Sequence, residues 1–391
     1  MSPVKICVVT GNRAEFGQLV PLLRRLNGDA DFDLRLVVTG AHLSPEKGYT
    51  MSEIEDSRIP VDARIPLPHI DEEDTRENTA MQICDAIAGF TRYFADHRPD
   101  VFVAIGDRYE MFGAAIAASN LLVPIVHICG GSTTSGAIDE VYRHSITKMS
   151  AAHFTTCDEY RNRVIQLGER PSSVYNVGSL AIENCLKVPL LSEEEIRADL
   201  DIEADKPYCV VTFHPVTLQD RDARNEVITL IRAMDRCPYT YVVTLPNSDA
   251  GGSGIADLWL EEGAKRSSFR VVSSLGMKRY LSALKYAEMM IGNSSSGTTE
   301  GPAMHIPTVD IGDRQKGRHF AKSVIHCEVD ADEIERAIRL ASSESFQAVA
   351  REATNPFGDG STSQKMCDIL KDLSRMGLSA KKDFYDLPMG K

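Results

Sequence analysis

Short, mainly apolar runs alternate along the chain with longer stretches in which apolar residues recur every three or four positions. Residues 5–10 (Lys-Ile-Cys-Val-Val-Thr) are the first such run, and a continuous apolar run marks a parallel strand buried on both faces. Gly11-Asn12-Arg13 turns the chain, after which Leu19, Leu22, Leu23 and Leu26 fall at helical spacing. The next apolar run, 34–39, completes a β-α-β unit and predicts a parallel sheet with right-handed crossovers. The alternation continues. A helix near 78–95 leads to a strand at 101–105, a helix through 114–118 to a strand at 125–128, and a helix near 139–149 to a strand at 153–156.

A break falls near 188–191, and Ser192-Glu193-Glu194-Glu195 then opens a new helix with a capping-box pattern. A second set of strands follows at 209–213, 241–245, 270–272, 289–291, 308–311 and 324–326, with a last helix near 362–376. The pattern is that of an α/β protein with two Rossmann-like domains. The division it predicts is 1–188, then 189–375 with the last helix free to return to the first domain, then a loose tail at 376–391.

Composition narrows the partners. The chain has 391 residues and a net charge of −13, with no Lys/Arg run of the kind that tracks nucleic acid. An anionic ligand therefore needs a local positive pocket. The nine cysteines are scattered, without a C-x-x-C pair or zinc spacing, and read as reduced cytosolic thiols. The first strand begins almost at the N-terminus and no apolar run is long enough to span a membrane, so a cytoplasmic protein without signal peptide or membrane contact is expected.

The candidate chemistry lies where strands end. Residues 289–301 read Met-Met-Ile-Gly-Asn-Ser-Ser-Ser-Gly-Thr-Thr-Glu-Gly. This is a buried strand, a glycine break, three hydroxyls, and a helix predicted to start near Thr298. Such a strand-to-helix turn suits a phosphate, and Glu300 suits ribose hydroxyls. The stretch Gly312-Asp313-Arg314-Gln315-Lys316-Gly317-Arg318 supplies cations for the same anion. Arg13, His42, Asp107 and His127 follow strands in the first half, and His214, Asn247, Ser294 and Arg314 follow strands in the second. Ligands of open parallel sheets bind outside the carboxyl ends of strands, so two such domains face to face would line one interdomain cleft. Singly, Asp107 also suits a helix cap, His127 a satisfied core histidine and His214-Pro215 a turn. Asp139 and Arg143 are four residues apart on one helical face, which suits a surface ion pair or an acid and a cation at a cleft mouth. Asp107 and Asp139 would serve as a carboxylate pair if the fold brings them together. The polar loop 246–254, with Asn247 and Asp249, suits a flap over a nucleotide or an ordinary linker.

These segments run in a familiar order: Gly11-Asn12-Arg13-Ala14-Glu15-Phe16-Gly17, Gly106-Asp107-Arg108, Gly136-Ala137-Ile138-Asp139-Glu140, Arg143-His144-Ser145-Ile146-Thr147-Lys148, Phe213-His214-Pro215-Val216-Thr217, Pro246-Asn247, Gly292-Asn293-Ser294-Ser295-Ser296-Gly297 with Glu300, and Ile311-Gly312-Asp313-Arg314. Over about residues 4–375 the chain resembles the hydrolysing UDP-N-acetylglucosamine 2-epimerases that open sialic and legionaminic acid pathways. The resemblance implies a GT-B fold and a homodimer. It implies a metal-free reaction without a redox cofactor: loss of the C2 proton and the nucleoside diphosphate to give a 2-acetamidoglucal, then hydration to the free C2-inverted sugar. It assigns nucleotide binding to Arg13, Asn247, Ser294, Ser295, Gly297, Glu300 and Arg314. Acid/base and sugar handling fall to Asp107, Asp139, Arg143 and His214. His42 and Asp249 join the binding set by position.

Two departures stand out. Cys129 and Ser132 occupy places where many members carry glutamate, so proton transfer falls to Asp107, Asp139 or His214, or the substrate differs. A retaining GT-B glycosyltransferase would share the phosphate loop, but lacks the Arg-His-Ser-Ile-Thr-Lys segment. A nucleotide-sugar-binding protein without catalysis would tolerate the missing glutamates.

Overall fold

The computed structural model describes residues 2–47, 49–73, 75–134, 137–216, 223–246 and 252–387. The chain divides into two compact units. The first comprises Met1–Ser132, Asp139–Asn184 and Phe357–Lys391; the second comprises Thr133–Ile138 and Cys185–Pro356.

The first unit is built on seven parallel strands: β1 (Val4–Thr10), β2 (Phe32–Thr39), β3 (Val61–Ile65), β4 (Val101–Ile105), β5 (Ile125–Ile128), β6 (Ala152–Thr155) and β7 (Val174–Asn176). Their order is β3-β2-β1-β4-β5-β6-β7. The chain winds outward from β1 in one direction, then in the other from β4, which makes the β1/β4 border the switch point where ligands of such sheets bind. The inner strands are buried along almost their whole length, as their apolar runs require. Helix Arg13–Gly28 covers the sheet through Leu19, Leu22, Leu23 and Leu26, all fully buried. It starts where it does because the Asn12 side chain accepts the N–H groups of Ala14 at 3.0 Å and Glu15 at 3.1 Å.

The last helix, Thr362–Met376, belongs to this unit and buries Met366, Cys367, Leu370 and Leu373 in its core. The expected loose tail is instead docked over its described part. Lys382 Nζ reaches Glu169 Oε2 and the Ser150 carbonyl, each at 2.6 Å, and Tyr385 N–H donates to Gly168 O at 2.9 Å. A buried carboxylate without enough cations would be costly, so Glu169 holds Lys382 as well as Lys148 and with it the tail.

The second unit has six parallel strands: β8 (Tyr208–Thr212), β9 (Thr240–Thr244), β10 (Phe269–Val272), β11 (Met289–Gly292), β12 (Thr308–Ile311) and β13 (Val324–Cys327). Their order is β10-β9-β8-β11-β12-β13, with the switch point between β8 and β11. The capping box at Ser192 is present: Ser192 N–H donates to Glu195 Oε2 at 2.8 Å, Glu195 N–H donates to Ser192 Oγ at 3.2 Å, and helix Glu193–Asp199 follows. All nine cysteines are free thiols. No helix among the described residues is long and apolar enough to cross a membrane.

Candidate functional site

In the first unit the candidate residues gather at the carboxyl ends of β1, β4 and β5. The turn after β4 places Asp107 against Arg143, which reaches it from helix Asp139–Met149. Arg143 is 1% exposed, and its other guanidinium nitrogen donates to Glu140 Oε2 at 2.6 Å and to the Ser132 carbonyl at 3.0 Å. Burial works against the cation, and the charges of Asp107, Glu140 and Asp139 outweigh it, so its pKa rises. The fold thus collects Asp107, Asp139 and Glu140 around one buried guanidinium. The surface-pair reading of Asp139 and Arg143 does not hold, because Arg143 is interior and faces three carboxylates. Glu140 carried no assigned role in the sequence reading. Its spacing of three to Arg143 and four to His144, which it meets at 3.0 Å, was the available signal.

His127 is fully buried, with Nε2 2.8 Å from the Gly106 carbonyl and Nδ1 3.1 Å from Thr147 Oγ1. Burial pushes it down to about 3, against the Gly106 bond, so the ring is neutral and its Nε2–H holds the turn that carries Asp107. His42 is likewise buried and pushed down to about 4 by burial, with Thr10 Oγ1 at 3.0 Å from Nε2 and Thr50 Oγ1 at 2.6 Å from Nδ1. Both ring nitrogens are occupied inside the protein, which makes His42 a support for the turn at 11–13. Arg13 opens its helix half-buried, with Glu53 nearby. Cys129, at the end of β5, is half-buried and holds the left-handed backbone conformation (φ 70°), a strained one for a residue other than glycine or asparagine.

In the second unit the turn after β11 is tied to its neighbours. Gly292 has φ 135°, and a Cβ there would lie 2.0 Å from the Thr212 carbonyl, so only glycine lets β11 pass β8. Asn293 is fully buried and pairs its side chain with the backbone of His214, which is itself 6% exposed. The Asn293 carbonyl accepts from Arg314 Nη1 at 3.1 Å and Gln315 Nε2 at 2.7 Å. His214, Ser294 and Arg314 are therefore organised by one asparagine to which the sequence alone assigned no role. Helix Ser296–Ala303 starts two residues earlier than predicted. Ser294 Oγ accepts the Ser296 N–H at 3.3 Å, and Ser294 O takes the Gly297 N–H at 3.1 Å. Gly297 lets this helix approach β12, where a Cβ would meet Thr308 Cγ2 at 2.6 Å. Ser294, Ser295 and Glu300 stay partly exposed. Burial pushes the Glu300 carboxyl up, against the hydrogen bonds of its own backbone and Ser296 and the charge of Arg318. Arg318 donates to the Thr133 carbonyl at 3.2 Å and to Thr134 Oγ1 at 3.1 Å. Asn247, Asp249, Thr217 and Gly136 lie outside the described residues. Among those described, no three His, Cys, Asp or Glu side chains come together as metal ligands.

Chemically, the first group offers carboxylates beside a fixed cation, suited to moving a proton at a carbon next to oxygen substituents. The second offers hydroxyls, a half-buried carboxyl and arginines at a switch point, suited to a nucleoside diphosphate.

The family model described as UDP-N-acetylglucosamine 2-epimerase matches residues 24–371. The chain is 37% identical to the polysialic acid biosynthesis protein P7 of Escherichia coli, over 98% of each chain. It is 36% identical to the hydrolysing GDP/UDP-N,N'-diacetylbacillosamine 2-epimerase of Campylobacter jejuni, over 89% of this chain and 90% of that one. Among solved structures, the UDP-GlcNAc 2-epimerase of Methanocaldococcus jannaschii, in complex with UDP-GlcNAc and UDP, superposes with a TM-score of 0.79 at 17% identity, covering 94% of this chain and all of that one.

Proposed function

The chain belongs to the UDP-N-acetylglucosamine 2-epimerase family, and from that premise we propose that it is a hydrolysing 2-epimerase of UDP- or GDP-linked 2-acetamido sugars. Its substrate is UDP-N-acetylglucosamine or a 2,4-diacetamido-trideoxy analogue. The products are the nucleoside diphosphate and the free sugar inverted at C2, of the kind consumed in nonulosonic acid synthesis. The observation that carries the reading is the cluster of Asp107, Asp139 and Glu140 around buried Arg143 at the end of β4.

In this mechanism a carboxylate takes the C2 proton. The freed electron pair forms the C1–C2 double bond, and the C1–O bond breaks with its pair leaving on the diphosphate. Water then adds its oxygen to C1, and a proton reaches C2 from the opposite face. A C2 proton is weakly acidic, so the base must be held close and its geometry fixed. Arg143 supplies that rigidity to Asp107, and His127 holds the turn beneath it. Asp107 and Asp139 carry the proton transfers, with His214 handling the sugar. Arg13, Ser294, Ser295, Glu300 and Arg314 hold the nucleotide, with Asn247 and Asp249 assigned to it by position. The enzyme works as a cytoplasmic homodimer without metal or redox cofactor.

The test is incubation in D₂O with UDP-N-acetylglucosamine and with UDP- and GDP-linked 2,4-diacetamido-trideoxyhexoses. Free sugar carrying deuterium at C2, formed together with nucleoside diphosphate, is the expected result. Sugar transferred to an acceptor with C2 unlabelled would point to a glycosyltransferase, and an inert mixture to a binding protein.

A further inference from the structure

The helix that carries Asp139 and Arg143 is short, Asp139–Met149, and its far end meets the C-terminal tail. The last carbonyls of a helix have no partners within it, and the negative end of the helix dipole favours a cation there. Lys382 Nζ fills that place, donating to the Ser150 carbonyl at 2.6 Å and to the Thr147 carbonyl at 3.3 Å. The same ammonium meets Glu169 Oε2 at 2.6 Å, and Lys148, from the helix itself, meets Glu169 Oε1 at 2.6 Å. One buried carboxylate thus joins the helix end to the tail.

The residues after Lys382 are seated at the same place. The Phe384 ring centre lies 4.9 Å from Lys148 Nζ, within cation–π range. Glycine at 168 makes room for that ring, since a Cβ there would meet Phe384 Cε2 at 2.3 Å. Tyr385 packs against Val164, Ile165 and Val174. The tail is therefore held by charge, ring contact and apolar packing together.

Thr147 is where this helix end reaches the site. Its carbonyl accepts from Lys382, and its hydroxyl donates to His127 Nδ1 at 3.1 Å. His127 Nε2–H in turn holds the Gly106 carbonyl, next to Asp107. One turn back along the helix stands Arg143, bound to Asp107. The helix has 11 residues, a rod of ~16 Å at 1.5 Å rise per residue, so a displacement at one end is carried to the other.

We infer that Lys382 is a positioning residue for the proposed proton transfer: through Thr147, Ser150 and Glu169 it fixes the end of helix Asp139–Met149, and with it the places of Asp139 and Arg143. The inference rests on the epimerase reading for what those two residues do, and it adds the C-terminal tail to the parts the reaction needs.

Lys382→Met in the full chain tests this, since methionine keeps an apolar stem and removes the charge and the N–H donors. The expected result is a fall in kcat of ~10–10²-fold, because a misplacement of about 1 Å can cost 10²-fold, with KM and UDP affinity unchanged. Measured without substrate, the backbone amides of 139–149 exchange faster in D₂O than in the wild type. Phe384→Ala leaves Lys382 in place and loosens its neighbour; it gives the same pattern in weaker form and decides the matter if Lys382→Met does not fold. A tail that only adds stability would lower Tm and leave kcat unchanged. That result, or amide exchange over 139–149 equal to the wild type, overturns the inference. A wild type that turns over no nucleotide sugar sinks the epimerase reading alone, because the amide exchange reports on the hold of Lys382 without any activity.

Discussion

Asn293 grips both backbone polar groups of His214: its Oδ1 accepts the His214 N–H at 2.7 Å, and its Nδ2 donates to the His214 carbonyl at 2.8 Å. The two residues follow β11 and β8, the strands on either side of the second switch point. The reciprocal pair fixes which end of the amide is oxygen. Asn293→Asp keeps the acceptor and removes the donor, leaving an oxygen facing a buried carbonyl. The expected loss is ~1–3 kcal/mol, read as a lower urea midpoint at neutral pH and partly recovered at acid pH, where a protonated carboxyl donates again. Equal midpoints at neutral pH would show that the pair contributes nothing.

Arg314 donates to the Asn293 carbonyl at 3.1 Å, which anchors one end of its guanidinium beside Ser294. Arg314→Ala is expected to weaken UDP or GDP binding by ~1.5–3 kcal/mol, the range for a hydrogen bond to a charged group. Calorimetry decides this, and unchanged affinity would remove Arg314 from the nucleotide site.

Asp107→Asn and Asp139→Asn are expected to lower kcat by roughly 10²–10⁴-fold with KM little changed, as for a group acting in general acid/base catalysis. C2 deuterium exchange should fall in step. If only Asp139→Asn loses exchange, Asp107 orients the sugar and Arg143 without moving the proton. Near-wild-type kcat and exchange in both would shift the test to His214 and Cys129.

Glu169 gives a prediction for the acid side of the stability curve. Burial alone would raise its carboxyl, but hydrogen bonds from His153, Lys148 and Lys382 outweigh that and hold it down at about 2, from 4.5. A depressed carboxylate stabilises the fold above its unfolded pKa, and this stability is lost as pH falls from about 4.5 to about 2. This contribution amounts to ~2 kcal/mol once screening through the exposed Lys148 is allowed for. Glu169→Gln should flatten the acid limb of the stability curve and free the tail to proteolysis near Lys382. An unchanged acid limb would show that the carboxylate does not anchor the tail.

The inner strands were legible because strands buried on both faces leave few polar positions, and the capping box at Ser192 because its signal is local. The edge strands β3 and β7 were not predicted. Val61–Ile65 is only partly buried, so its apolar run is broken by polar residues, and Val174–Asn176 is three residues long. The site followed the same division. Strand-end placement pointed to Asp107 and His214, and helical spacing to Asp139 and Arg143. What joins them, Asp107 to Arg143 across 36 residues and Asn293 to His214 across 79, is set by tertiary packing and leaves no periodic trace. The docked tail was missed for that reason too, since Lys382 finds Glu169 213 residues away.

Because the last helix returns to the first unit, vectorial synthesis makes the two units mature out of order. All seven strands of the first sheet leave the ribosome early, yet the core under Met366, Cys367, Leu370 and Leu373 has no cover until residues 362–376 follow. The second sheet, complete by Cys327, has its partners in hand before then. Nascent chains halted before Thr362 would hold an unsealed first unit beside a finished second one, and that exposed surface is where chaperone capture and aggregation concentrate.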